Sequence, residues 1–519
     1  MRWAFGFVRR RALAPVLLGA LLLSSTTALG QEAQPEGPPA PPPTGPPSQT
    51  TPEPGTPGAP ITPPPASPAG QVSVPPGVPT GPAEFPPLIL PDFPPPTIPA
   101  GEPIGPIEPI RPLRFAPLPD GTSPLQVRTF VTAEEEYTDN ADQTKTNRRS
   151  EFRTNIAAGV SAHLEGSRSN LDFAYSPRAV IFRNTPADTE VDHSLTLRGG
   201  VNVMPQVRLS AGEDFTHSSD FRDVGNVGTT RTGQTPFTTN RATAEAAYTP
   251  PQGRLALAYT NVLNREDVAN PDDSVTHNVR ASGDLADPRF GLGGSYTLVR
   301  GLNTISSDYW EHNVEGHANR SFTPTVTGNL SGKFTEHNAD QPQAEDFRIG
   351  GGMVGGVLTL GPNGSISAQV GPDFFAPQNN KTIVRPGFVG LWTQRFSYFA
   401  LSVGYNQSFQ SNFQSVDNTG VSFVRSASVY LTSLAFRDLT ATVGARWNRQ
   451  KFEQSTTSGG PAGTQETTWD LEGRLEYILA RPLVLTLGYI YTIRSSTNPI
   501  AAFVENRVRL GLTYRYDIF

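Results

Sequence analysis

The 519-residue chain contains no cysteine, which excludes disulfides, thiolate metal sites and a lipidated cysteine. It also lacks any apolar run long enough for a membrane helix. The nearest, Ala12 to Leu23, falls well short of the ~20 residues needed. Mean hydropathy is −0.34, which argues against a polytopic helical membrane protein. An excess of positive charge is missing too: the formal net charge is −6, so nucleic acid is not an expected partner. Three signatures of chemistry are likewise missing, namely a Gly-x-Ser-x-Gly elbow, zinc-ligand spacing and a phosphate-cradling glycine loop. No cofactor or metal is expected, and no enzymatic activity.

What is present divides into three parts. Residues 1–30 read as a secretory signal: Arg2, Arg9, Arg10 and Arg11 precede the apolar Ala12 to Leu23, and Ala28-Leu29-Gly30 offers a small-x-small cleavage site. Residues 31–126 hold 34 of the 52 prolines, so neither helix nor sheet ladders can form there. A polyproline II arm is the expectation. Within it Ile104, Ile107, Ile110 and Leu113 recur every third residue, the period of that helix, and make one candidate docking stripe. Chance bias in a spacer would produce the same pattern.

From Val127 to the end the pattern is period-two alternation. Trp469, Leu471, Leu475, Tyr477 and Leu479 alternate with Asp470, Glu472, Arg474 and Glu476. The last strand sets Val508, Leu510, Leu512, Tyr514 and Tyr516 against Arg507, Arg509 and Arg515. From Trp469 to Tyr477 the chain would climb roughly 20 Å at a ~40° tilt, close to the apolar height of a bilayer-spanning barrel. Twenty candidate strands in ten hairpins follow from the alternation, and one miscounted hairpin would give eighteen or twenty-two. They include 365–371, 397–409, 420–433 and 503–518. Short connections (Met204-Pro205, Gly361 to Gly364, Ala480 to Pro482) alternate with longer polar ones (Asp139 to Arg148, His217 to Thr238, Gln454 to Glu466). That rhythm suits an up-and-down, antiparallel transmembrane barrel with both termini in the periplasm. A soluble β-sandwich would also alternate, but would not explain the signal or the loop rhythm.

With the alternation laid out, 127–519 resembles the β-barrel porins of Gram-negative bacteria, particularly the group found near exopolysaccharide and exosortase loci. The residues that carry the resemblance are Ala133-Glu-Glu-Glu-Tyr-Thr-Asp-Asn140, Phe152 to Leu164, Leu171 to Tyr175 and Gly511-Leu-Thr-Tyr-Arg-Tyr516. It implies an outer-membrane location and a role in envelope transport or polysaccharide export. It also implies that Tyr514, Tyr516 and the terminal Phe519 form the signal read by the outer-membrane insertion machinery. The alternation slips after Tyr516, which suggests that Asp517-Ile518-Phe519 is a short tail.

If the apolar face meets lipid, Arg446, Asp470, Glu472, Arg474, Glu476, Arg507 and Arg509 line the lumen. They would either select solutes or merely neutralise one another. The seven histidines are scattered, and His312 and His317, five apart on one strand, should face opposite sides. Acidic groups near the rims (Glu134 to Glu136, Asp272, Asp273, Asp340, Asp346) could hold divalent cations that bridge lipopolysaccharide, or simply be solvated. The 217–238 segment is the candidate constriction. Two functions remain open. One is a pore or export channel for hydrophilic solutes or exopolysaccharide. The other is a non-conducting anchor whose arm tethers a periplasmic protein or peptidoglycan.

Overall fold

The computed structural model describes residues 124–519, apart from 186–188, 219–235, 267–272, 288, 305–306, 342–345, 412–419, 434, 437, 454–462, 499–500 and 519. The signal, the proline arm with its Ile104–Leu113 stripe, most of the 217–238 segment and Phe519 therefore lie outside the described residues.

The chain forms twenty strands. In order they are β1 (Leu125–Thr138), β2 (Glu151–Glu165), β3 (Ser169–Phe182), β4 (Glu190–Met204), β5 (Val207–Ser218), β6 (Phe237–Tyr248) and β7 (Gly253–Glu266). Then come β8 (Ser274–Ala286), β9 (Phe290–Asn303), β10 (Tyr309–Thr323), β11 (Val326–Ala339), β12 (Phe347–Thr359), β13 (Gly364–Pro377) and β14 (Ile383–Arg395). The last six are β15 (Phe399–Ser411), β16 (Val421–Ser433), β17 (Leu439–Phe452), β18 (Gln465–Ala480), β19 (Leu483–Ser496) and β20 (Phe503–Asp517). Each strand pairs antiparallel with its neighbours in sequence. The sheet closes where Arg128 to Thr138 of β1 meet Arg507 to Asp517 of β20. Closure gives every strand a neighbour on both sides, the condition for crossing lipid with strands.

The twenty expected strands are the twenty observed, and the loop rhythm holds. Odd-to-even connections are the longer ones, while even-to-odd connections are tight turns. At the β12–β13 turn Leu360 N donates to Gly364 O (2.8 Å) and Gly361 takes a φ of +73°, which a side chain would resist.

Most strand ends shift by a few residues, and two differences matter. β13, expected to end at Gly371, runs on to Pro377 although proline cannot donate to a ladder. In the barrel the β12–β13 ladder lapses between Gly351↔Asp373 and Val354↔Val370, bends and resumes. Gly371 permits that bend, since a Cβ there would run into the Gly352 carbonyl oxygen. β20 also continues through Asp517, whose carboxylate meets Arg128 at 3.2 Å, while Ile518 N donates to Val127 O (2.8 Å). Barrel closure therefore holds residues that the alternation alone released as a tail.

The faces divide as in a membrane barrel. Trp469 (49% exposed), Leu510 (51%) and Tyr516 (57%) stand outward with Leu471, Leu475, Tyr477, Leu512 and Tyr514. The residues between them are shielded. A continuous outward belt of such side chains needs lipid around it.

Candidate functional site

All seven charged positions singled out from the sequence lie on the shielded face. Arg446 and Asp470 approach to 3.4 Å across β17–β18, and Arg474 pairs with Glu476 along β18. Glu472 and Arg509 are each only 8% exposed, and Arg507 7%. Arg509 pairs with Glu136 of β1, and Glu136 also meets Arg153 of β2 at 2.8 Å. Above them Thr138 donates to Glu505 Oε1 (2.8 Å) and Gln143 Nε2 to Glu505 Oε2 (3.1 Å). One charged layer thus crosses the seam between the first and last strands. The rim reading of Glu134 to Glu136 needs correction for Glu134 and Glu136: strand alternation turns both inward, where Asn155 Nδ2 donates to Glu134 Oε1 (3.1 Å) and two arginines compensate the buried Glu136 carboxylate. Arg494 of β19 donates to Glu466 of β18 (2.6 Å), both buried. Around β3–β5, Arg178 pairs with Asp192, and Arg198 with Asp214 at 3.3 Å.

The histidines separate by phase, as the spacing required. His312 accepts from or donates to Tyr296 OH (2.8 Å) on the outer face, while His317 faces Asp284 inside (3.5 Å). Tyr175–His193 (3.0 Å) and Tyr259–His277 (2.8 Å) repeat the outward pairing near the long-loop ends of their strands. His337 is inward and meets Glu311 at 3.6 Å.

The long-loop end of the interior is not polar throughout. Phe182, Phe237, Tyr309, Phe347, Phe452 and Phe503 are buried there at the last inward position of their strands, and Phe375 one inward position before buried Pro377. These aromatics were missed by the sequence argument. Their signal was available: each sits on the polar phase of its strand, immediately beside a long connection.

A second missed feature concerns β15 and β16. β14 pairs with β15 only from Phe388↔Gln407 to Arg395↔Ala400, so the β14 residues 383–387 have no β15 partner. Beyond Gln407, β15 stays paired with β16 through Ser411↔Val421. There both faces of the hairpin are buried: Asn406 to Phe409 and Val421 to Val424 are all shielded. In this stem the β15 edge has left β14 and lies inside the wall, while β16 stays laddered to β17 from Ser422↔Phe452. Its Phe409 and Phe423, on the outward phase, rest against inward residues of the wall. Ring centroids run Tyr309–His337 4.7 Å, His337–Phe347 4.5 Å, Phe347–Phe375 6.0 Å, Phe375–Phe409 5.9 Å and Phe409–Phe423 4.9 Å. Polar contacts pin the same stem. Phe409 N donates to Asp373 Oδ2 (2.7 Å), Lys333 Nζ to Phe409 O (3.3 Å), and Ser411 Oγ to Glu311 Oε2 (3.2 Å). Arg385 of β14 lies over the Phe423 ring (4.5 Å) and pairs with Glu453 beyond β17. The exposed edge of β14 is blunted by Pro386, which has no N–H, and its carbonyl accepts from Gln407 Nε2 (2.6 Å).

Residues 403–516, from β15 to β20, match the family described as "Putative beta-barrel porin 2". That match covers the last six strands of the barrel. Among solved structures the barrel is similar to OccK2 (OpdF) of Pseudomonas aeruginosa, solved in complex with glucuronate: 10% identity, TM-score 0.40, 76% of this chain and 98% of that one. It is similar to the outer membrane protein opdK of Pseudomonas aeruginosa at 12% identity and TM-score 0.40, over 75% and 98%. The FrpB iron transporter from Neisseria meningitidis gives 11% and 0.45, over 76% and 82%. No curated protein matches the sequence.

Proposed function

We propose that the protein is a channel through which hydrophilic solutes cross the outer membrane. One observation carries this: a closed twenty-stranded wall that is apolar outward and lined inward by charges and hydrogen-bonding groups. A wall of that circumference is wider than its own side chains can fill along its whole length. Arg446, Asp470, Glu472, Arg474, Glu476, Arg507 and Arg509 are the inner charges a passing solute would meet, and no reaction is assigned to them. Exopolysaccharide is the finer proposal for the solute, supported by the sequence resemblance and by a lining of paired charges that binds neither sign strongly.

The surroundings follow from the same layout. The outward apolar belt would meet lipid and lipopolysaccharide. Tyr514 and Tyr516, half-exposed on β20, would be read by the insertion machinery together with Phe519. The Ile104–Leu113 stripe would dock a periplasmic protein or peptidoglycan.

A second function, a non-conducting anchor, is favoured by the buried aromatics that occupy the long-loop end of the interior. Single-channel recording of the purified full chain in planar bilayers separates the two. Discrete current steps support the channel; silence from protein that still migrates faster unboiled than boiled supports the anchor.

A further inference from the structure

The tucked stem offers a more specific conclusion, which rests on the channel function. We propose that residues 406–411 and 421–424 are the constriction of this channel, and that their contact with the inner face of β10–β13 sets how wide the lumen is.

The two strands of the stem pair with each other, and β16 stays laddered to β17 from Ser422↔Phe452, so only the β15 edge beyond Gln407 has left its wall neighbour. The wall is adapted on the other side. β12 and β13 break their ladder beside Gly371-Pro372, and Pro372 stands opposite Pro386 in the β13–β14 register. This bend lies next to Asp373, the carboxylate that receives Phe409 N. Asp373 is wholly buried and Lys333 stands 3.7 Å from it, so the stem is held by a compensated charge and by aromatic contact together.

Against β10–β13 the attachment is broad but is not a ladder. Phe409 and Phe423 touch the wall through side chains, and only a few polar atoms cross from stem to wall. Moving the β15 edge off that face therefore breaks no strand ladder there, while the β16–β17 ladder keeps the stem joined to the wall.

The absence of cysteine makes the test clean. Glu311→Cys and Ser411→Cys place two thiols where the native side chains meet at 3.2 Å. The full chain is purified, bridged with a short reversible thiosulfonate crosslinker, and recorded in planar bilayers before and after reduction. A second variant, Phe409→Ser with Phe423→Ser, loosens the stem without adding thiols; its migration with and without boiling checks that the barrel has formed.

The expected results are efficient bridging, lower conductance when bridged than when reduced, and a rise of about twofold or more in the serine variant, because current follows the open cross-section of a wide barrel. Failure to bridge would place the stem elsewhere and overturn the proposal. Equal, non-zero currents in bridged, reduced and serine forms would overturn it too, while leaving the channel intact. Silence in every form would overturn both. If the serine variant does not fold, the bridged and reduced pair still decides the matter.

Discussion

Breaking the Arg494–Glu466 pair tests how dry the interior is at the long-loop end of β18 and β19. Arg494 Nη2 donates to Glu466 Oε2 at 2.6 Å, and Ser496 Oγ donates to Glu466 Oε1 at 3.3 Å. Both charged side chains are nearly inaccessible, 2% and 6% exposed. At an effective dielectric near 20, unit charges ~4 Å apart attract by about 4 kcal/mol, most of which offsets the cost of removing them from water. Glu466→Gln keeps the shape but leaves a buried guanidinium without its anion, so it should cost about 3–5 kcal/mol. Arg494→Met should cost a similar amount. The double variant should cost much less than the sum, because the uncompensated charge is gone. Urea unfolding in detergent, followed by fluorescence of the barrel's four tryptophans (Trp310, Trp392, Trp447 and Trp469), would give the cycle. If each single substitution costs under ~1 kcal/mol and the two add, the pair behaves as a solvated one, and the interior there is wet.

Gly371→Ala should lower the urea midpoint, by about 1–3 kcal/mol of stability, since its Cβ would strike the Gly352 carbonyl. Gly473→Ala on β18, with nothing near the new Cβ, should be neutral or stabilising; equal effects at both sites would discredit the bend at Gly371. Just past the end of β11, Asp340 is held below its ordinary carboxylate value of 3.8 by the Arg300 guanidinium of β9 (bonds of 2.7 and 3.0 Å). A depressed folded value contributes stability above the unfolded value and loses it as pH falls through the folded one. The wild type should thus exceed Asp340→Asn at neutral pH by a small margin that closes in acid below about 4. A margin that instead widens on acidification would contradict the pairing.

The strand count, the division of each strand into an apolar and a polar face, and the place of Arg446, Asp470, Glu472, Arg474, Glu476, Arg507 and Arg509 together on the polar one were legible in the sequence. Each depends on period two, which is a local property: once a segment is a strand, residue i+1 must face the other way. What covers a face is not local. Phe409 and Phe423 share the phase of outward Val403 and Tyr405, and nothing in their own strands distinguishes them. Only because β15 parts from β14 beyond Gln407 do these rings meet Phe375 and Arg385 instead of lipid. Glu136 and Arg509 stand far apart along the chain, and closure of the barrel alone brings them together. The same closure keeps Asp517 in the last strand. Alternation determined the two surfaces of every strand; the tertiary structure decided which of those surfaces faces lipid, which faces the lumen, and which, in one hairpin, faces the rest of the protein.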